Sequence, residues 1–252
     1  MLFKILVLDS SGAEIRKLAE MPVWRECGFE IAGHAFDVNR AVTSALNQEY
    51  DLVLCIDRPT SAAAVPFLMR VNKRTPEIST LVISHVESSK NIRECFLLGA
   101  VDCLVEPVRA DELKDALTRV CSIVSANVTG KEYANAMNTA LQKLPTTSEN
   151  EAMLEKLGEF LMKTQGRAAS VEEAADFFGF NPDYFRRYFK RRAGVSFSDF
   201  YKRLTMDYAR LLLSSGHYKV GEVSDLLGYS SADYFTRVFK KATGHVPSDY
   251  RK

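Results

Sequence analysis

VEEAADFFGFNPDYFRRYFKRRAG, residues 171–194, and VGEVSDLLGYSSADYFTRVFKKATG, residues 220–244, are two versions of one unit. Asp183, Tyr184, Phe185, Arg187, Phe189, Lys190 and Gly194 return fifty residues later as Asp233, Tyr234, Phe235, Arg237, Phe239, Lys240 and Gly244. Ser198, Asp199 and Phe200 return as Ser248, Asp249 and Tyr250. So many matches at one offset mark an internal duplication. Gly179 and Gly228 depart from that offset by one residue, so the versions differ in turn length.

Each unit divides at its internal glycine into two short helices, predicted at 171–178 and 182–192, then at 220–227 and 232–241. Asn181 suits a cap, Pro182 a first turn, and Gly194 and Gly244 a left-handed terminus. This is a helix-turn-helix layout, in which the second helix enters the major groove of DNA. In the first unit Phe185, Tyr188 and Phe189 fall at i, i+3 and i+4 and face the core, which leaves Asp183, Arg186, Arg187 and Lys190 outward. In the second, Phe235, Val238 and Phe239 face inward, and Asp233, Tyr234, Thr236, Arg237 and Lys240 are candidates for the groove. Arginine can donate two bonds to a guanine edge, whereas lysine suits phosphates. The aspartates could accept from cytosine or cap their helices, and capping is the favoured reading.

Between the units, 197–214 is predicted as one helix with Phe200, Leu204, Tyr208 and Leu211 along a single stripe. Its length of about 27 Å approaches the separation of about 34 Å at which two reading helices reach successive major grooves. Upstream, Tyr133, Met137, Leu141 and Leu144 make a short amphipathic helix that Pro145 ends, and 146–150 read as a hinge. A stripe this short more often packs on its own domain than on a twin copy.

The first half has another rhythm. FKILVL from Phe3, LVLCI from Leu52 and TLVIS from Thr80 are apolar without alternation, as expected of strands buried on both faces. Weaker strands are predicted near 30–34 and 102–105. Helical segments near 12–26, 38–48, 62–73, 89–98 and 110–124 alternate with them, which implies βαβ units, a parallel sheet and the flavodoxin-like doubly wound pattern. Its site lies at the carboxyl ends of the strands. The expected architecture is therefore α/β plus all-α: 1–125 as a five-stranded parallel domain, 126–150 as a helical linker, and 151–252 as the duplicated helical domain.

Composition agrees. The 252 residues favour two compact units, or one large sandwich or barrel, and 46% hydrophobic with 26% charged residues excludes disordered and fibrous classes. No apolar run approaches the roughly 20 residues that span a bilayer, and the apolar opening 2–8 stops at Asp9 without a cleavage pattern, so a cytoplasmic location is expected. The net charge of +1 hides an asymmetry: 1–125 carries 14 Lys/Arg against 17 Asp/Glu, while 151–252 carries 17 against 13. Arg186, Arg187, Lys190, Arg191 and Arg192 put five cations in seven positions, which suits a polyanion or, equally, a solvated face. The five cysteines lie in the first half without CxxC spacing and read as reduced and mostly buried. The four histidines show no metal-ligand spacing, and no Gly-rich phosphate loop, GxSxG or HExxH occurs, so enzyme chemistry is not expected.

On these features residues 151–252 resemble the DNA-binding domain of AraC-type transcription regulators. The carriers are the doubled helix-turn-helix, Phe189 to Gly194 and Phe239 to Gly244, GYS at Gly228, and PSDYRK from Pro247. The resemblance implies duplex DNA as partner, with base contacts from Asp183, Arg186, Arg187, Asp233, Tyr234, Thr236 and Arg237.

The N-terminal half resembles the receiver domain of two-component response regulators. A working receiver has an acidic pair after strand one, a phosphoacceptor aspartate after strand three, a hydroxyl after strand four and a lysine after strand five; the carboxylates hold magnesium. Here those positions read Asp9 and Ser10, Ile56, Ser84 and Glu106, with Asp57 one place late. A one-residue slip turns a side chain to the other face, so Asp57 qualifies only if the strand bulges. Replacing the lysine by Glu106 swings the phosphoryl interaction by up to about 8 kcal/mol, taking about 4 kcal/mol for a unit charge pair at 4 Å and an effective dielectric near 20. The expectation is a degenerate receiver, either a scaffold or a pocket rebuilt for another signal. Magnesium is a cofactor only if the pocket works. The alternative is a conventional switch in which Asp57 takes phosphate from a sensor histidine kinase. A homodimer through the linker or the receiver face around 89–98 and 110–120 is also implied.

Overall fold

The computed structural model describes residues 2–12, 20–47, 49–58, 62–72, 78–85 and 89–251. The chain divides into two compact units, Met1–Asn127 and Val128–Lys252.

In the first unit, strands β1 (Phe3–Leu8), β2 (Phe29–Ala35), β3 (Leu52–Asp57), β4 (Ser79–Ser84) and β5 (Asp102–Val105) form one sheet in the order β2-β1-β3-β4-β5. Every pairing is parallel. The chain also forms α1 (Val23–Glu26), α2 (Val38–Leu46), α3 (Ala64–Val71), α4 (Ser89–Leu97) and α5 (Ala110–Gln142). β3 and β4 are buried at every position, which explains why their sequences lack polar alternation. Leu6, Leu8, Val53, Cys55 and Val82 share one face and pack with Ala41, Phe67, Leu68 and Cys95. The strand order reverses beside β1, which places the crevice at the carboxyl ends of β1 and β3. The β3–β4 register runs unbroken from Leu52↔Ser79 to Asp57↔Ser84, whereas β1–β2 slips between Ile5 and Leu6. Of the helix predicted at 12–26, residues 13–19 lie outside the described residues, as do 48 and 73 at the ends of two other predicted helices.

The expected linker at 126–150 needs correcting. α5 continues unbroken to Gln142, because 110–142 contains no proline and a single glycine to interrupt it. Tyr133, Ala136, Ala140 and Leu144 are buried in the core of the second unit, so this stretch is part of that unit and the division falls after Asn127 instead of Ser125.

The second unit continues with α6 (Glu151–Thr164), α7 (Val171–Phe178), α8 (Pro182–Ala193), α9 (Phe197–Ser215), α10 (Val220–Leu226), α11 (Ala232–Thr243) and a 3₁₀ turn at Pro247–Tyr250. Phe185, Phe189, Phe235 and Phe239 are completely buried, and Leu204 and Tyr208 of α9 join both pairs in one core. Each such phenylalanine contributes about 1.5–3 kcal/mol through burial. The Tyr133 hydroxyl donates to the Leu161 carbonyl at 2.9 Å, and burial pushes its pKa up to about 12. Tyr208 donates to the Thr129 carbonyl at 3.2 Å and meets Tyr133 edge to face.

Candidate functional site

α8 and α11 begin and end alike. The Tyr184 N–H donates to Asn181 Oδ1 at 2.9 Å, and the Tyr234 N–H donates to Ser231 Oγ at 3.2 Å. Gly194 and Gly244 close the helices at φ 76° and 83°, where a side chain would be strained. The caps are thus Asn181 and Ser231. Asp183 and Asp233 sit two residues further in, within the first turn, where their charge meets the positive end of the helix, which corrects the capping expectation.

Asp183, Arg186, Arg187 and Lys190 are all exposed on α8. Arg186 is held by two acids: its Nη1 lies 2.9 Å from Asp183 Oδ1 and its Nη2 lies 2.8 Å from Glu172 Oε1 on α7. Arg192 turns back to Glu149 and over the Tyr188 ring. Arg187, Lys190 and Arg191 make no ion pair among the described residues. On α11, Asp233, Tyr234, Arg237 and Lys240 are exposed and Thr236 is half-buried. The Arg237 guanidinium lies 5.9 Å from the Tyr234 ring centroid. Two participants were missed. Tyr184, 44% exposed and stacked on Tyr188, occupies the place of Tyr234, and the fifty-residue offset was the signal for it. Glu172 carries no signal of its own, because its partner is fourteen residues away on another helix.

At the carboxyl ends of the strands, Asp9 is fully buried, and its Oδ1 accepts from the Ser11 N–H at 3.0 Å and the Ser11 hydroxyl at 2.9 Å. Arg58 Nε stands 3.5 Å from the same oxygen. Burial raises the Asp9 pKa, but Ser11 and Arg58 outweigh it and hold the carboxyl below its usual value. Ser10 is exposed, and Ile56 is buried opposite Ile83. With no bulge in the β3–β4 register, alternation puts Asp57 on the face of Val53 and Cys55. There its Oδ1 accepts from the Ala63 and Ala64 N–H groups at 2.7 and 2.8 Å, and its Oδ2 from Asn91 at 3.3 Å, so Asp57 caps α3. Asp9 follows Leu8 and Arg58 follows Asp57, so alternation turns both to the opposite face, where they meet. Ser84 is buried beside Asp57, and the Glu106 carboxylate is paired with His85 Nδ1. Asp57 and Ser84 therefore come together, while Asp9 and Glu106 have other partners.

Residues 174–252 match the family described as Helix-turn-helix domain. The chain is 27% identical over 110 residues, 44% of this chain and 39% of the relative, to the uncharacterized HTH-type transcriptional regulator YijO of Escherichia coli (strain K12). It thus spans well under half of that relative's length. It is 21% identical over 253 residues, 100% of this chain and 99% of the relative, to the transcriptional regulatory protein HptR of Staphylococcus aureus (strain NCTC 8325 / PS 47). A response regulator receiver domain (CheY-like) from Methanospirillum hungatei JF-1 aligns with TM-score 0.43 and 16% identity, covering 50% of this chain and 98% of that one. Among the described residues no helix is long and apolar enough to cross a membrane. Residues 174–252 of this chain thus carry a helix-turn-helix domain, the unit before it has the flavodoxin-like strand order, and the chain is similar along its whole length to a transcriptional regulatory protein.

Proposed function

We propose that this protein is a transcription regulator that recognises specific duplex DNA by placing α8 and α11 in successive major grooves. The carrying observation is the pair of like-capped helices with exposed cationic faces, joined through one core by α9. Its 19 residues span about 28 Å at 1.5 Å per residue, close to one duplex turn of about 34 Å. Arg187 and Arg237 are assigned to base edges, and Lys190 and Lys240 to phosphates. The test is a binding titration across salt concentrations, in which affinity is expected to fall steeply as counterions compete. Absent or salt-independent affinity would sink the proposal.

We further infer that the receiver-like unit acts without ordinary phosphorylation. Magnesium takes oxygen ligands, chiefly carboxylates and water. The donors here do not fit it: Asp9 is paired with Arg58, Asp57 is occupied by two backbone amides on the other face, and Glu106 is paired with His85. A cation is built into the pocket as Arg58. The expected control is therefore through dimerisation or a non-phosphate signal, in the cytoplasm where DNA is available. Incubation with a small phosphodonor and magnesium followed by intact mass measurement should give no adduct. A stoichiometric adduct that disappears in Asp57→Ala would establish the conventional switch instead.

A further inference from the structure

The five cysteines are free thiols, and two of them face each other across the packing of α4 on β5. The pairings Cys55↔Val82 and Val82↔Cys103 set these residues side by side on three strands, so Cys103 projects to the face that carries Cys55. Cys95, only 1% exposed, comes down on the same face from α4 and belongs to the same cluster. The Ala100 N–H donates to the Cys95 carbonyl at 2.9 Å, which fixes the end of the helix over β5. Cys103 packs against that cluster from β5, so the two thiols stand on the same face where α4 covers β5. Cys103 is half-buried, whereas Cys95 is buried.

We propose that Cys95 and Cys103 are an oxidation site, a dithiol that a hydroperoxide converts to a disulfide and a thiol reductant restores. The neighbouring Cys103 brings the Cys95 pKa below that of an ordinary thiol, against burial and the nearby Asp57 and Glu94 charges. Cys95 in turn, and then burial, push Cys103 up. In the proposed order Cys95 reacts first, at the end of α4, and Cys103 on β5 resolves it. Its thiolate attacks one peroxide oxygen, the O–O bond breaks, and the departing hydroxide takes up the thiol proton as water, leaving Cys95 as a sulfenic acid. The Cys103 sulfur then attacks that sulfur; the S–S bond forms, the S–O bond breaks, and hydroxide leaves with the Cys103 proton as a second water. Two electrons pass from the thiols to the peroxide. The new bond would pin α4 to β5 immediately before Phe96 and Leu97, which stand 47% and 76% exposed. This inference does not depend on how the helical unit reads DNA.

Cys27 and Cys121 also lie near each other, but burial raises the Cys27 thiol and makes it a poor competitor. The reduced full-length protein would be treated with hydrogen peroxide, alkylated, and examined by intact mass and non-reducing peptide mapping. Two of the five thiols should escape alkylation, joined in a peptide linking Cys95 to Cys103 that dithiothreitol releases. The link should persist in the double variant Cys27→Ser/Cys121→Ser and be lost in Cys103→Ser and in Cys103→Ala. Full alkylation after peroxide, a link between Cys27 and Cys121, a link between chains, or sulfinic acid without a link would each overturn the proposal.

Discussion

The two helix-turn-helix units share their buried half and differ in their exposed half. Phe185 and Phe189 in one, and Phe235 and Phe239 in the other, are equally and completely buried. On the surface, α8 has Arg186 clamped by Asp183 and Glu172 and a last turn of Lys190, Arg191 and Arg192, whereas α11 has a half-buried Thr236 in the place of Arg186 and sets Arg237 against Tyr234. The entry helices differ as well. Ser170 and Glu173 satisfy each other's amides at the start of α7, while at α10 only the Glu222 carboxylate returns the bond, to the Lys219 N–H at 2.7 Å. A lysine side chain has no acceptor to complete the pair. The lesson is that one fold can be duplicated with its core chemistry intact while its two exposed faces are set apart, one by charge density and the other by an arginine and an aromatic ring.

The equal cores can be broken most forcefully. Phe185→Ala and Phe235→Ala should each destabilise the second unit by about 3–5 kcal/mol in urea unfolding; a cost near zero at either site would end the equivalence. Next come the unequal faces. Arg187→Ala and Arg237→Ala should each weaken DNA binding by about 1–3 kcal/mol and relax base preference. Lys190→Ala and Lys240→Ala should instead weaken all sequences alike and lower the salt slope by about one each, as competition titrations would show.

The caps offer a finer comparison. Asn181→Ala and Ser231→Ala should cost about 1 kcal/mol each in thermal unfolding, and a much smaller loss at one would mean that the two helix starts are held differently. The clamp on Arg186 is exposed and worth no more than about 1 kcal/mol to stability. Its larger effect is on charge: Glu172→Gln should leave Arg186 with Asp183 as its one acidic partner and steepen the salt dependence of DNA binding, with no counterpart in the second copy. The subtlest contrast is with the first, α/β unit. The Asp9 carboxyl is held below its unfolded pKa of about 3.9, so its stabilisation is complete above that pH and is lost as pH falls through the lower folded value. Asp9→Asn should make acid unfolding of the first unit less steep in pH.

How much was legible before the fold was known differs along the same lines. The ranges 171–178 and 182–192 anticipated α7 and α8 to within a residue, because glycine, proline and asparagine punctuate them locally. The stripe Tyr133, Met137, Leu141 and Leu144 was visible too, but its fusion with the preceding helix was not, since the absence of a stop signal is weak evidence until the packing is known. Asp183 and Asp233 looked like caps because their residue type suits one; Asn181 and Ser231 stand at the boundary and accept the amide bonds in their place.

Duplication, helix limits, and the parallel α/β pattern follow from the order of residues, because each rests on interactions within a turn or a strand. Whether Asp57 caps α3, Arg58 meets Asp9, Glu106 holds His85, Glu172 ties up Arg186, or Cys95 shares a face with Cys103 depends on pairings between distant segments. A side chain's partner is set by which face of which strand or helix arrives beside it, and that is a property of the packed chain.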